Sequence, residues 1–317
     1  MEQLVRRGFN TFDSALVYGM AEEAIATYCE RNRAAAAACV FNTKLIPTGS
    51  SGLSEEQVRQ ALLPASRARG GRLDLVHFYW WDFDKSNYVS SLLNAQRLVE
   101  VGEMRGIALT GFDSQHVEEV VEAGVRVEAV QLSLSIVDTR AVDGRMLEVC
   151  RRHNIAMFAH GTLLGGFLSE RWVGVEEPKA VELETSQLRK YLRWIQLWGS
   201  WELLQELLDV LRRVAERKGV SMPVVAMRWA LQQEGVASVI VGTRMGMKGK
   251  LHVEEKRRAL EIELDQEDME AIARVQKKGR PLMETLGDSG DEFHVKNRRK
   301  RTQGGARSRK EEGGVGA

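Results

Sequence analysis

Three residues near the amino terminus carry the chemistry that is easiest to name. Asp13 and Tyr18 stand five residues apart in Asp13-Ser14-Ala15-Leu16-Val17-Tyr18-Gly19, and Lys44 follows at the end of Asn42-Thr43-Lys44. A free phenol has a pKa near ~10 and is a poor acid at neutral pH, whereas an ammonium beside it favours the phenolate. A carboxylate paired to that ammonium holds it in place and keeps it charged. A phenol, an ammonium and a carboxylate grouped in this way suit protonation of a carbonyl oxygen while another group delivers hydride. Taken singly, Asp13 reads as a helix cap, Tyr18 as loop packing and Lys44 as a solvated charge. Together, with these flanks, they read as an active site.

Such a set needs a scaffold that brings separate segments to one place. Candidate strands at 10–13, 38–44, 73–80, 106–110, 129–132, 155–159 and 236–241 alternate with helical patterns at 21–33, 54–69, 86–102, 114–123, 144–153, 201–218 and 223–233. This alternation with short connections predicts βα units around a parallel sheet. Ser54-Glu55-Glu56-Gln57 is a capping box ahead of an apolar stripe, and Gly102, Gly124 and Gly219 stand where helices stop. Asp13 and Lys44 then fall at the carboxyl ends of their strands, with Tyr18 in the loop just beyond the first.

The chain resembles the aldo-keto reductases. The resemblance rests on Gly8-Phe9-Asn10-Thr11-Phe12-Asp13-Ser14-Ala15-Leu16-Val17-Tyr18-Gly19, Asn42-Thr43-Lys44, Leu73-Asp74-Leu75-Val76, Gly161-Thr162-Leu163-Leu164-Gly165-Gly166-Phe167-Leu168-Ser169-Glu170-Arg171-Trp172 and Val239-Ile240-Val241-Gly242-Thr243-Arg244. It implies an α/β fold of the TIM-type (β/α)8 kind that reduces aldehydes and ketones with NADPH, using a Tyr, Lys, Asp and His tetrad. The carboxyl ends of the strands are the face where such barrels build their active sites. Seven strands are recognisable where the barrel has eight, and the family's first strand and amino-terminal hairpin have no match. An open barrel exposes two strand edges. A reading start upstream of Met1 is therefore expected, with something unusual packed into the gap as the alternative. Residues 1–286 are expected to form the barrel domain, and 287–317 a disordered basic, Gly-rich tail. The run Asn297-Arg298-Arg299-Lys300-Arg301 reads as solvated charge.

Carried over residue by residue, the resemblance implies Tyr18, Lys44 and Asp13 as catalytic residues and departs from the family at the fourth. The histidine position falls on Tyr79; His77, two residues earlier, is displaced by ~6.6 Å along the strand and cannot replace it. Tyr79 retains a hydroxyl that can donate a hydrogen bond. The amide partner expected beside the nicotinamide falls on Gly111, which has no side chain, while Gln131 keeps the other. The ring that stacks under the nicotinamide falls on His160, next to Gly161. Leu163-Leu164-Gly165-Gly166 lets backbone approach a pyrophosphate, Arg171 and Arg244 can bind pyrophosphate and a 2′-phosphate, and His252 and Glu255 meet the adenine end, with Lys256 in place of a common Asn. Such arginines favour NADPH over NADH. The departures at Tyr79, Gly111 and His160 also fit a second class, a cofactor-binding sensor or partner subunit with little turnover. A truncated product with no stable fold is the third possibility.

Bulk properties exclude little else. The 317 residues are 44% hydrophobic and 28% charged with a net charge of +1, which gives no reason to expect a nucleic-acid or membrane partner. A small-molecule carbonyl substrate is the expected partner; the sequence leaves the oligomeric state open. Cys29, Cys39 and Cys150 lack metal-ligand spacing and read as reduced, buried thiols of an intracellular protein. A cytoplasmic location is expected, although a late start would have removed any targeting segment. The aromatic stretch 187–201 is expected to be a helix packing its Trp residues over the barrel mouth rather than a substrate lid.

Overall fold

The computed structural model describes residues 1–47, 52–71, 73–80, 82–84, 87–242 and 253–293. Seven strands form one sheet in strict chain order: β1 (Thr11–Asp13), β2 (Val40–Leu45), β3 (Leu73–Tyr79), β4 (Met104–Thr110), β5 (Val127–Ser133), β6 (Ala156–His160) and β7 (Val236–Val239). Every neighbouring pair is parallel, so each connection must cross over, and helices do this along the chain. This is the expected barrel architecture, short of closure.

Differences from the sequence-based expectation lie at element ends. β2 begins at Val40 rather than residue 38, because the amides of Ala38 and Cys39 bond back to Ala35 and Ala36 in a helical turn. β7 ends at Val239, and the ladder gains only the bond from Ile240 N to the Ala159 carbonyl. The capping box forms as its sequence requires: Ser54 Oγ accepts from Gln57 N at 3.2 Å, and Gln57 Oε1 accepts from Ser54 N at 2.8 Å. The sequence pattern did not mark several elements, among them helices Val253–Arg258 and Gln266–Gln276, or the extension of packed chain past Leu286. The domain boundary expected at residue 286 thus falls short of Phe293, since Ser289 and Glu292 are buried. Residues 294–317, with the basic run, lie outside the described residues.

Parallel strands covered on both faces are apolar throughout, and β4 shows it, with every residue buried except Arg105. The main core joins Phe78, Ile107, Leu109, Leu132 and Met157 to Trp194, Leu204, Leu208 and Leu211 from the helices. A smaller cluster of Ile25, Tyr28, Cys29, Cys39 and Phe41 sits beside β1 and β2. All three cysteines are free and buried. Burial raises their thiols, that of Cys150 to about 12, so they pack as apolar groups. No helix among the described residues is long and apolar enough to cross a membrane.

Among the described residues the sheet does not close: β1 and β7 have no strand paired on their outer edges, and both border a cavity of about 600 Å³ lined by Phe9, Phe12, Ile25, Leu75, Phe158 and Val239, among others. Two buried polar atoms at this opening, Ser14 Oγ and Asn42 Oδ1, have no hydrogen bond within the protein. The opening lies where an eighth strand completes such a barrel.

Because β3 lies at the middle of the tightly packed portion, Phe78→Ala is expected to cost about 3–5 kcal/mol and to lower the melting temperature by about 10 °C. Calorimetry of the variant checks this.

Candidate active site

β1, β2 and β5 end at one place, and Asp13, Lys44 and Gln131 meet there. Lys44 Nζ is ion-paired with Asp13 Oδ2 and donates to the Ser14 carbonyl at 2.9 Å. Gln131 Nε2 reaches across from β5 to Asp13 Oδ1 at 3.0 Å. The side chains of Lys44 and Asp13 are 9% and 19% exposed. An ammonium buried to this degree requires a counter-charge and full hydrogen bonding, and both are supplied. Tyr18 is placed differently. It ends a short 3-10 turn after β1, the residue is 57% exposed, and both hydrogen bonds of Lys44 go elsewhere. The structure therefore brings Asp13, Lys44 and Gln131 together and leaves Tyr18 at the rim.

Beneath the pair lies His77, which is fully buried. Its Nδ1 is 3.3 Å from Thr110 Oγ1, while Nε2 has no hydrogen bond within the protein and stands 4.0 Å from Asp13 Oδ1. Burial, helped by the Lys44 charge, lowers its pKa to about 3 and keeps the ring neutral. It lies two residues before Tyr79, which stands half-buried at the end of β3. The missing side chain at Gly111 has a local cause: a Cβ there would lie 2.8 Å from Tyr79 Cε2. Tyr79 and Gly111 are thus coupled by packing: the phenol ring occupies the space that a side chain at 111 would need.

Across the mouth, His160 is half-buried at the end of β6. Packing around its ring, with Lys190 and Lys44 nearby, lowers its pKa to about 3. Tyr191, from helix Ser186–Trp198, covers the following loop: a Cβ at Gly161 would lie 2.4 Å from Tyr191 Oη, and one at Gly165 would lie 3.1 Å from Tyr191 Cδ2. The aromatic helix thus packs as the sequence suggested, with Trp194 and Trp198 buried. The turn after Leu163 runs through three successive left-handed residues, Leu164 (φ 48°), Gly165 (69°) and Gly166 (111°). Glycine permits this conformation without strain, but Leu164 does not. Arg171 is exposed beside the turn, its guanidinium 5.2 Å from the Trp172 ring centroid. Glu255 accepts a hydrogen bond from Ser221 Oγ, and Lys256 donates to the Gly242 carbonyl at 2.8 Å. Arg244 and His252 lie outside the described residues.

Sequence reasoning missed a group over the mouth. Arg140 is buried and bidentate to Asp138, and it pairs bidentately with Glu292 at 3.0 Å through both terminal nitrogens. Burial alone would favour the neutral guanidine, but the two carboxylates outweigh it and hold Arg140 above its ordinary pKa. Phe293 follows, its ring centroid 6.0 Å from that of Tyr79 and 6.4 Å from that of His160. The only available signal, acidic and aromatic residues in a Gly-rich stretch, was indistinguishable from a tail.

Two outcomes are expected. Gly111→Asn should cost about 1–3 kcal/mol through overpacking and its left-handed backbone (φ 77°), and the overpacking part alone should be relieved in a Tyr79→His background; a double-mutant cycle of urea unfolding measures the coupling. His77 binds fewer protons folded than unfolded between its ordinary pKa of ~6.5 and about 3. Stability should therefore be present above pH ~6.5 and fall as the pH drops through this window, by at most about 1.4 kcal/mol per pH unit. His77→Leu should flatten that part of the pH–stability curve.

Comparison with known proteins agrees with the fold. The model of the aldo/keto reductase family matches residues 1–277. Flagellar radial spoke protein 5 of Chlamydomonas reinhardtii is 30% identical over 177 residues, 50% of this chain and 33% of that protein. The NADH-specific methylglyoxal reductase of Escherichia coli is 23% identical over 198 residues, 60% of this chain and 56% of the enzyme. The chain thus spans a third to about half the length of these curated relatives. Among solved structures, the glycerol dehydrogenase AKR11B4 of Gluconobacter oxydans superposes with a TM-score of 0.70 at 20% identity, covering 90% of this chain and 85% of that one. With the family model spanning most of the sequence, and seven parallel strands of its barrel present in order, the chain belongs to the aldo/keto reductase family.

Proposed function

We propose that the protein reduces an aldehyde or ketone to an alcohol with NADPH, Tyr18 giving the proton. The observation that carries this reading is the buried Lys44–Asp13 pair, bonded by Gln131, at the carboxyl ends of three strands. That pair fixes a positive charge at the mouth, where it stabilises negative charge developing on a carbonyl oxygen or on a phenolate. Tyr18 lies one turn beyond Asp13 and reaches Lys44 if the turn at 16–18 folds inward. Tyr79 would line the carbonyl side, its hydroxyl taking the place of an imidazole.

The residues fit the cofactor at one end. The left-handed turn at 164–166 exposes backbone next to Arg171, which suits a pyrophosphate. Arg244 would add the 2′-phosphate contact that favours NADPH over NADH, with His252 and Glu255 at the adenine. When bound, the nucleotide supplies the hydride. The nicotinamide end does not fit as it stands: Gln131 is committed to Asp13, and Phe293 lies beside His160.

A second reading, a cofactor-binding partner subunit with little turnover, has its own support. Tyr18 is turned outward, and the relative at 30% identity is named as a flagellar radial spoke protein.

If Tyr18 is the acid, Tyr18→Phe should lower turnover of a simple aldehyde by about 10²–10⁴-fold while NADPH affinity changes by less than about twofold. Unchanged turnover would remove Tyr18 from the mechanism. Under the same reading Tyr79→His should raise turnover, and a fall would mean that the site is built around the phenol. No turnover by wild type, with saturable NADPH binding, would select the partner-subunit reading.

A further inference from the structure

The misfit at the nicotinamide end has a specific cause. Residues 287–293 cross the mouth of the barrel and are held at three points. Asp288 Oδ2 accepts from Ser114 N at 2.9 Å and from Ser114 Oγ, at the amino terminus of helix Ser114–Glu122. Gly290 is pressed so closely on the backbone after β4 that a Cβ would lie 2.3 Å from the Phe112 carbonyl oxygen. Glu292, 5% exposed, takes both terminal nitrogens of Arg140. This delivers Phe293 into ring contact with both Tyr79 and His160, at the ends of β3 and β6.

We propose that residues 287–293 are an autoinhibitory strap. While Arg140 and Glu292 hold it, Phe293 fills the space between Tyr79 and His160, and a nicotinamide ring can lie on His160 only after the strap has swung out. This rests on the nicotinamide-nucleotide reading above. The latch is built to open. Arg140 keeps its own bidentate partner, Asp138, through Nε and Nη2 at 2.8 and 3.0 Å, so the guanidinium retains a counter-charge. Nη1, which bonds Glu292 and the Gly287 and Asp288 carbonyls, exchanges those strap contacts for water when the strap leaves. Glu292 regains water, which offsets the loss of the pair. Gly287 (φ 81°) and Gly290 (φ 105°) put two residues in the left-handed region within the strap, and the glycines adopt it without strain. Seating of the strap and docking of the nicotinamide exclude each other. Apparent affinity for the whole cofactor is therefore lowered by the fraction of molecules with the strap open.

The test uses the full chain and two variants, Phe293→Ala, which removes the plug, and Glu292→Gln, which loosens the latch. NADPH and adenosine 2′,5′-bisphosphate, which has the adenine end but no nicotinamide, are titrated by Trp fluorescence and calorimetry. Amide hydrogen exchange follows residues 287–293 with and without NADPH. The expected result is NADPH binding at least about tenfold tighter in Phe293→Ala, with a smaller gain in Glu292→Gln. Affinity for the bisphosphate should not change, and exchange in the strap should accelerate when NADPH binds to the wild type. NADPH affinity indifferent to both variants, with the strap still protected in the complex, overturns the proposal while bisphosphate binding upholds the cofactor reading. Failure of both nucleotides to bind any of the three proteins overturns the two together.

Discussion

The Lys44–Asp13 ion pair is the constraint around which the rest of the site is arranged. Its two members come from adjacent strands, and each is too deeply placed to be solvated alone. Removing an ammonium from water costs several kcal/mol unless a partner and hydrogen bonds replace the hydration. The Ser14 carbonyl, Gln131 and Asp13 itself are those replacements. The requirement that they converge sets how far β1 and β5 can part across the barrel. It also accounts for His77, whose ring lies under the pair and remains neutral because burial and the Lys44 charge both oppose protonation.

Around this fixed charge the mouth has been refilled rather than emptied. Tyr79 occupies the volume that a side chain at position 111 would need, and Tyr191 occupies the volume above Gly161 and Gly165. Close packing makes such exchanges reciprocal: a large ring at one position dictates glycine at the next. Tyr79 and Gly111, which read as separate features in the sequence, are thus coupled through one volume. The Arg140–Asp138–Glu292 group completes the filling by tying the carboxyl-terminal strap over the same space.

The open side of the sheet is the main departure from a closed barrel. β1 and β7 face a 600 Å³ cavity, with Asn42 Oδ1 and Ser14 Oγ buried beside it without protein partners. Unpaired strand edges and unsatisfied polar atoms at the same place share one cause, the lack of an eighth strand among the described residues. The core nevertheless runs continuously from β2 to the helices after β6, so most of the apolar burial is independent of that opening.

Much of this was legible in the sequence for local reasons. Alternating periodicities predicted seven parallel strands because helices and strands bury different faces, and the capping box at Ser54 and the stops at Gly102, Gly124 and Gly219 marked ends through short-range hydrogen bonding and backbone freedom. The placement of Asp13, Lys44 and Gln131 at strand ends followed from the same pattern. Tertiary structure alone decided the remainder, because it depends on contacts between residues far apart in the chain. Nothing local in Gly111 reveals that Tyr79 fills its space, and nothing in Arg140 reveals that its partner lies 152 residues away at Glu292. Nor does the Gly-rich composition after Leu286 show that Phe293 reaches the mouth. Composition measures how well a segment can form a core of its own; it does not register a charge and a ring received into a core built by the rest of the chain.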